Sequence, residues 1–256
     1  MLNKSAIESV LKQMMPITLE QMNGIKLMNR IDTKYIMSLE RLPELLLKAK
    51  DKYFVQDIDG NRTPTYDTIY YDTDACDMYL RHHDRQLRRQ KIRTRNYVES
   101  GLFFIEVKNK TNTGRTKKKR VSINPEAFEH IELDAEGFEF LEMRSHYDPL
   151  ILSPHVRTHF QRITLVNKRK TERLTLDFCL LFENFRTKKV VECGNLLIVE
   201  LKQDGAQHSE MKDILLDMRV KQAKCSKYCI GTALTNTTVK TNRFKKKLRL
   251  IDKLNH

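Results

Sequence analysis

Hydrophobic and polar residues alternate with a period of two through the central part of the chain. In residues 102–108, positions 103, 105 and 107 are Phe, Ile and Val, whereas Glu106 and Lys108 occupy even positions. Because successive side chains of a strand point to opposite faces, this segment has one apolar and one charged face. Such segments, bounded by turn residues, predict strands near 53–58, 64–71, 86–98, 102–110, 116–124, 154–166, 171–182 and 195–203.

Apolar residues at helical spacing occur before, within and after this strand-rich region. Ile7, Val10 and Leu11 belong to such a pattern over 5–22, which predicts one amphipathic helix. A further strand is predicted over 25–38, where Ser38 is placed to cap the helix that follows. The other helical patterns lie at 39–50, 73–83, 125–146 and from about 207 onward.

No internal repeat, linker or shift in composition divides the chain. We therefore expect a single α+β domain over residues 1–256. Its expected parts are an N-terminal helix at 1–23, strands with inserted helices at 25–205, and C-terminal helices at 206–256. Eight or nine strands in one domain favour a sandwich or a barrel.

The charged faces of the predicted strands are mostly cationic. Lys91, Arg93 and Arg95 share one side of their strand, and Glu200 and Lys202 share one side of another. A solvated outer face explains any one such strand, but like charges on neighbouring strands destabilise a sheet. Curling the sheet into a closed antiparallel barrel of about eight strands would place these faces inside, where a polyanion such as a triphosphate could bind.

The composition agrees with an anionic partner. Lys and Arg number 47 against 33 acidic residues, which gives a net charge of +14. This charge suits nucleic acid, anionic lipid or phosphorylated small molecules, and it does not choose among them. Five cysteines without a Cys-x-x-Cys pair fit a reducing cytosol. The chain shows neither the apolar region of a signal peptide nor a run of about 18 apolar residues, so we expect a cytoplasmic protein without a transmembrane segment.

Short segments along most of the chain match one known family in order. They are RIDTKY (30–35), YYD (70–72), KIRTRNY (91–97), IEVKNK (105–110), KKKR (117–120), FQR (160–162), RLTLD (173–177), VELK (199–202) and SKY (226–228). The chain thereby resembles the VTC domain, the polyphosphate polymerase branch of the triphosphate tunnel metalloenzymes within the CYTH-like superfamily, and is similar to its compact bacterial members. It departs from the pattern at Asp32, where many relatives have Glu, and at Phe160, where Tyr is usual.

The resemblance implies a metal-dependent enzyme that transfers the γ-phosphate of ATP to inorganic polyphosphate inside a tunnel, with Mn²⁺ or Mg²⁺ as cofactor. It implies catalytic roles for Lys34, Arg95, Arg162 and Glu200. It implies metal binding by Glu200, with Glu106 and Asp177 as helpers. The phosphate-binding residues that it implies are Arg30, Lys91, Arg93, Lys108, Lys118, Arg120, Arg173, Lys202, Lys224 and Lys227.

Two other functions compete with the polymerase. A triphosphatase or polyphosphatase of the same fold needs the same basic walls, and a tunnel blocked at one end would favour it. A non-catalytic module that binds nucleic acid or another polyanion would also fit the charge. We expect no nucleic-acid ligand, because aromatic and basic residues are not interleaved as base-stacking surfaces require. The basic run at 243–249 is amphipathic, with Phe244, Leu248 and Ile251 at helical spacing, which favours a helix docked on the barrel. Its basic side also suits an anionic membrane surface or a partner protein.

Overall fold

The computed structural model describes residues 4–23, 30–113, 116–205 and 207–255. The helices are α1 (Lys4–Gln13), α2 (Leu19–Asn23), α3 (Leu42–Ala49), α4 (Asp77–His83), α5 (Ala135–Arg144), α6 (Glu210–Asp217), α7 (Lys227–Thr235) and α8 (Lys245–Asn255). The strands are β1 (Pro16–Ile17), β2 (Arg30–Ser38), β3 (Tyr53–Gln56), β4 (Thr65–Asp72), β5 (Arg89–Tyr97), β6 (Leu102–Lys110), β7 (Thr116–Ser122), β8 (Ser153–Asn167), β9 (Glu172–Asn184), β10 (Val190–Cys193) and β11 (Leu196–Asp204).

Eight strands form one continuous antiparallel sheet in the order β2-β11-β9-β8-β4-β5-β6-β7. The shorter strands β1, β3 and β10 attach to its side. Because the strands alternate in direction, β2 starts at Arg30 at one end of the sheet, and β6 finishes at Lys110 at the other end. We refer to these as the Arg30 end and the Lys110 end.

The sheet is a curled half-barrel, and the prediction of a closed barrel is wrong. In the described residues, β2 and β7 are the two edges of the sheet and do not pair with each other. Instead, the edge of β2 is covered by the chain before α7, where the Ala223 amide donates to the Lys34 carbonyl at 2.8 Å. On the other edge, β7 exposes consecutive lysines, a charge pattern that opposes edge-to-edge pairing.

Two apolar clusters surround this sheet. One lies on its convex side, where α1, α3 and α6 cover β2, β8, β9 and β11. The other lies toward the Lys110 end, where α4, α7 and α8 contribute Tyr79, Tyr228 and Ile251, and the 3₁₀ turn before α8 contributes Phe244. The concave face is left polar, and the sequence-predicted site residues of the strands lie on it, from Arg30 at one end to Lys91, Lys108 and Lys118 near the other.

Two predicted helices are wrong in part. The helix over 5–22 ends at Gln13, since Pro16 lacks an amide hydrogen and disfavours helical backbone at the preceding residue. Pro16 and Ile17 instead form β1, which pairs in parallel with β3. Residues 125–146 contain two 3₁₀ turns before α5, because the Asp134 side chain caps α5 at the Gly137 amide. Residues 25–29 of the predicted strand 25–38 lie outside the described residues.

The C-terminal helices are anchored to the sheet by buried polar contacts. The Tyr228 hydroxyl of α7 donates to Asp72, whose carboxylate also accepts from the Met78 and Tyr79 amides at 2.9 Å each. Gly231 lies so close to Phe182 and Val156 that an added Cβ would meet their side chains within 3 Å. These contacts hold α7 against β4, β8 and β9. None of the helices in the described residues is long and apolar enough to cross a membrane.

Candidate active site

Cross-strand pairing brings the predicted catalytic residues Lys34 and Glu200 together. They are direct neighbours on β2 and β11, and the Lys34 ammonium donates to Glu200 Oε1. On the same face, Lys202 lies between its cross-strand neighbours Asp32 and Arg173. Arg30 is exposed and pairs with Asp32 at 2.7 Å, so Asp32 already has a cationic partner at the rim.

The second group is centred on Asp177 of β9. Its carboxylate accepts from Arg162 of β8 at 2.6 and 2.9 Å and from Lys227 of α7, and its side chain is only 1% exposed. Burial alone would raise the pKa of Asp177, but Arg162 and Lys227 lower it to about 2. Asp177 therefore stays ionised and fixes both cations.

A matching group is centred on Glu106 of β6. Its Oε2 accepts from Arg93 of β5 at 2.6 Å, and its Oε1 accepts from Lys118 of β7 at 2.8 Å. Burial opposes ionisation, yet Arg93, Arg95 and Lys118 hold the pKa of Glu106 below its usual value. Arg120, the cross-strand neighbour of Glu106, instead lies over the Phe104 ring at 4.4 Å.

Other interior cations have no carboxylate within ion-pair distance in the described part of the chain: Arg95, Lys108, Arg173 and Lys202. Lys108 is solvent-exposed on the concave face, yet the protein groups around it limit its hydration, and together with Lys91 they lower its pKa to about 8. Burial also lowers the pKa of Lys202 to about 8, although Glu200 opposes this shift. For Arg95 and Arg173, burial and neighbouring arginines lower the pKa. Each of these four cations is repelled by other cations of the concave face, and an anionic ligand would relieve that repulsion.

Aromatic rings support several of the cations. Arg162 lies 4.6 Å from the centroid of Tyr66, and Lys227 lies 4.4 Å from that of Phe160. The Tyr66 and Phe160 rings stack on each other with centroids 5.4 Å apart. Phe160, which replaces a Tyr of the family pattern, thus supplies a cation–π surface in place of a hydroxyl. These rings keep the guanidinium and ammonium groups extended into the concave space.

The start of α7 lies across the concave face. Ser226 Oγ accepts from Lys91 of β5 at 2.7 Å, whereas the next residue, Lys227, reaches Asp177 of β9. Between those strands, the Tyr228 ring stacks on Tyr70 of β4 at 5.1 Å. This helix therefore occupies the interior toward the Lys110 end. Lys224, by contrast, is exposed beside the edge of β2 and is not brought to the interior group.

The three carboxylates predicted to bind a metal differ in how many of their oxygens already contact cations. Both oxygens of Glu106 and of Asp177 accept from cations, so neither is placed to act as a helper without losing those contacts. Glu200 contacts Lys34 through Oε1, and Lys202 and Lys34 together hold its pKa well below the usual value against the effect of burial. No cluster of three or more potential metal ligands occurs in the described residues. The carboxylates of the site therefore fit a metal ion that is held by Glu200 alone among them and by phosphates of the substrate.

Sequence reasoning missed several residues of this site. Tyr66, Tyr70 and Ser226 were not predicted to contact it, and Phe160 was considered only for its missing hydroxyl. The signal was present in β4, where Tyr66, Thr68 and Tyr70 alternate. Thr68 and Tyr70 are the direct cross-strand neighbours of Arg95 and Arg93, so they share the face of those arginines. Arg93 Nη1 donates to the Tyr70 hydroxyl at 3.2 Å. Ser226 could not be found in this way, since its contact depends on where α7 lies.

The model of the VTC domain family matches residues 29–236, which is most of the chain and includes every element of the site. The chain belongs to the VTC domain family, as the ordered segments predicted. No curated protein matches the chain in sequence.

The chain was also compared with solved structures, and the matches have low sequence identity. A Hippeastrum protein provisionally assigned as an adenylyl cyclase, in which triphosphatase activity is reported as dominant, has a TM-score of 0.52 at 14% identity. The alignment covers 80% of this chain and 96% of that one. A Bacillus halodurans protein provisionally assigned as an adenylate cyclase has a TM-score of 0.49 at 14% identity, over 84% of this chain and 97% of that one. At such low identity, the likeness to the Hippeastrum protein shows the fold alone.

Proposed function

We propose that this protein is a polyphosphate polymerase that transfers the γ-phosphate of ATP to a growing polyphosphate chain on its concave face. The observation that carries the proposal is the group of interior cations without carboxylate partners, namely Arg95, Lys108, Arg173 and Lys202. A ligand with many closely spaced negative charges stabilises such a group. Membership of the VTC domain family supports a triphosphate and polyphosphate as that ligand.

For phosphoryl transfer, the protein mainly has to position the two substrates and neutralise the charge on the phosphate oxygens. A terminal oxygen of the acceptor chain forms a bond to the γ-phosphorus, and the bond from that phosphorus to the β–γ bridging oxygen breaks. ADP leaves with the electron pair of that bond. Arg95 presents a forked donor to phosphate oxygens, Arg162 adds the positive charge that Asp177 holds in place, and Lys34 supplies a compact positive charge. No side-chain nucleophile is required.

Glu200 would hold the Mn²⁺ or Mg²⁺ ion together with phosphate oxygens of the substrate. When bound, the ion neutralises charge on the transferring phosphate. Glu200 suits this role because its low pKa keeps it ionised. Lys34, its present partner, would then be free to contact phosphate.

Incubation with ATP and Mn²⁺ or Mg²⁺ tests the proposal. The expected product is a phosphate polymer that stains on a gel, with ADP formed in step with polymerised phosphate. Substitution Glu200→Gln should reduce metal-dependent turnover by about 10²- to 10³-fold. Glu192→Gln, on the exposed part of β10, makes the same chemical change away from the site and should retain activity.

Thermal unfolding of both variants shows whether loss of activity reflects loss of fold. A folded Glu200→Gln protein with unchanged turnover would remove Glu200 from the reaction. Polymer formation without any metal would contradict the proposed cofactor.

A triphosphatase is the second candidate, and one observation favours it. The start of α7 crosses the concave face and narrows the space toward the Lys110 end, where a long product would otherwise extend. The dominant triphosphatase activity reported for the Hippeastrum protein of the same fold is in line with this alternative. Release of orthophosphate without polymer, from either ATP or tripolyphosphate, would select the hydrolase.

A further inference from the structure

A second group of cations lies beyond the interior residues, at the Lys110 end of the sheet. It consists of Arg85, Arg89, Lys110, Lys224 and Lys247, which we call the outer cation cluster. Arg85 follows α4, Arg89 begins β5, Lys110 ends β6, Lys224 precedes α7, and Lys247 belongs to α8. In the described part of the chain, none of the five has a carboxylate within ion-pair distance.

Two residues of this cluster are direct cross-strand neighbours in the sheet. Arg89 and Lys110 are cross-strand neighbours, and the next pair on the same face of β5 and β6 is Lys91 and Lys108. Directly opposite like charges destabilise a sheet, and here two successive pairs are both doubly cationic. The two pairs are two residues apart, or ~7 Å along the strand. The outer pair therefore continues the cationic surface of the interior toward solvent.

Helix packing adds the remaining cations. Lys247 lies 5.2 Å from the Phe244 ring, and that ring packs edge-on against His83 of α4 at 5.4 Å. Lys247 is thereby held beside the α4–β5 connection that carries Arg85 and Arg89. Burial, followed by Arg89 and Lys224, lowers the pKa of Lys110. Burial also lowers the pKa of Lys247, with Arg85 and Lys224 acting in the same direction.

We propose that the outer cation cluster binds the distal part of a linear polyphosphate chain whose reacting end lies on the concave face. This inference rests on the proposed function, because it assumes that the interior holds a phosphate chain. It assigns a separate site to the chain beyond the triphosphate, reached through Lys91 and Lys108 past the start of α7. The cluster would thereby favour long chains over short ones.

The chemistry of the cluster favours polyphosphate over nucleic acid. Single-stranded nucleic acid needs exposed aromatic rings on which its bases stack. The rings nearest this cluster are buried, since Tyr79 is 0% and Phe244 is 7% exposed. A chain of phosphates needs only regularly placed cations. The outer cation cluster is continuous with the interior pair Lys91 and Lys108, so one phosphate chain can contact both sites.

The test compares long polyphosphate with tripolyphosphate in binding to the full chain. The variant Arg89→Gln/Lys110→Gln/Lys247→Gln removes three cluster cations and leaves the predicted interior residues intact. We expect its affinity for polyphosphate of about 100 units to fall about tenfold at low salt, and its affinity for tripolyphosphate to stay within twofold. The slope of log affinity against log salt should decrease by roughly two for the long chain alone.

The matched control is Lys12→Gln/Lys188→Gln/Lys189→Gln, which lowers the net charge equally but changes exposed lysines of α1 and the β9–β10 turn. It should leave both affinities within twofold of wild type. Equal losses in the two triple variants would overturn the proposal, because bulk charge would then explain the binding. An oligothymidylate of similar length that binds the cluster as tightly as polyphosphate would also overturn it.

The outcome is separable from that of the proposed function. Long-chain binding that depends on the cluster, without polymer from ATP, would support the site and contradict the polymerase. Polymer formation together with cluster-independent binding would contradict the site alone.

Discussion

The concave face contains two kinds of cation that differ in their partners. Arg162, Lys227 and Arg93 bind the buried carboxylates Asp177 and Glu106 at close range. Lys108 and Lys202 lack such partners, and their pKa is lowered to about 8. The first kind belongs to the folded scaffold, since the carboxylates hold the cations in place whether or not a ligand is bound. The second kind raises the free energy of the folded protein until an anionic ligand binds.

The largest expected effect comes from removing a charge of the paired kind. Asp177→Asn leaves Arg162 and Lys227 buried beside a neutral amide. We expect the free energy of unfolding to fall by about 3 to 5 kcal/mol, because an uncompensated buried charge is costly. Denaturant titration measures the change. A loss below about 1 kcal/mol would show that these cations are well solvated without Asp177.

Removing cations of the unpartnered kind should reduce ligand affinity and leave the free energy of unfolding unchanged or raised. The variant Lys108→Gln/Lys202→Gln removes two cations without an ion-paired carboxylate in the described residues. Lys108 lies between the cross-strand neighbours Lys91 and Lys118, and Lys202 has Arg173 on one side. We expect the free energy of unfolding to stay the same or to rise by up to ~1 kcal/mol, whereas affinity for tripolyphosphate should fall at least tenfold. Denaturant titration and isothermal calorimetry give the two quantities. Loss of stability without loss of affinity would place both lysines in the scaffold.

The smallest expected effect is the pH dependence of the same two lysines. Lys108 faces Lys91 and Arg93 of β5, Glu200 of β11 and Lys34 of β2. Its pKa in the folded protein is about 8, below the usual lysine value near 10.5, so the unfolded chain binds more protons between these values. Stability of the ligand-free protein should therefore rise as pH increases from about 8 to 10.

Binding should change in the other direction over the same pH range. Deprotonation removes positive charge from the concave face, so affinity for tripolyphosphate should fall severalfold between pH 7 and 9.5. The Lys108→Gln/Lys202→Gln variant is the control, and its affinity should vary less with pH. An equal pH dependence in both proteins would assign it to groups other than these lysines.

Much of the strand structure was predictable because the pattern that encodes it is local. The alternation around Glu106 and Lys108 correctly predicted β6 and its charged face, and the boundaries of β6 agree to the residue. The ordered segments also identified the VTC domain family. Prediction failed at Pro16 and Asp134, where backbone chemistry overrode an apolar pattern with helical spacing. The functional roles of the site residues remain predictions.

The sequence by itself determined which side chains share a face, because a strand has a period of two wherever it lies. Tertiary structure alone decided which of those side chains are partners. Lys34 and Glu200 are 166 positions apart, and only the pairing of β2 with β11 joins them. Tertiary structure also left the barrel open and laid α7 across its interior, since both depend on sheet curvature and on packing at Asp72 and Gly231. Those contacts arise between distant segments, and no local pattern records them.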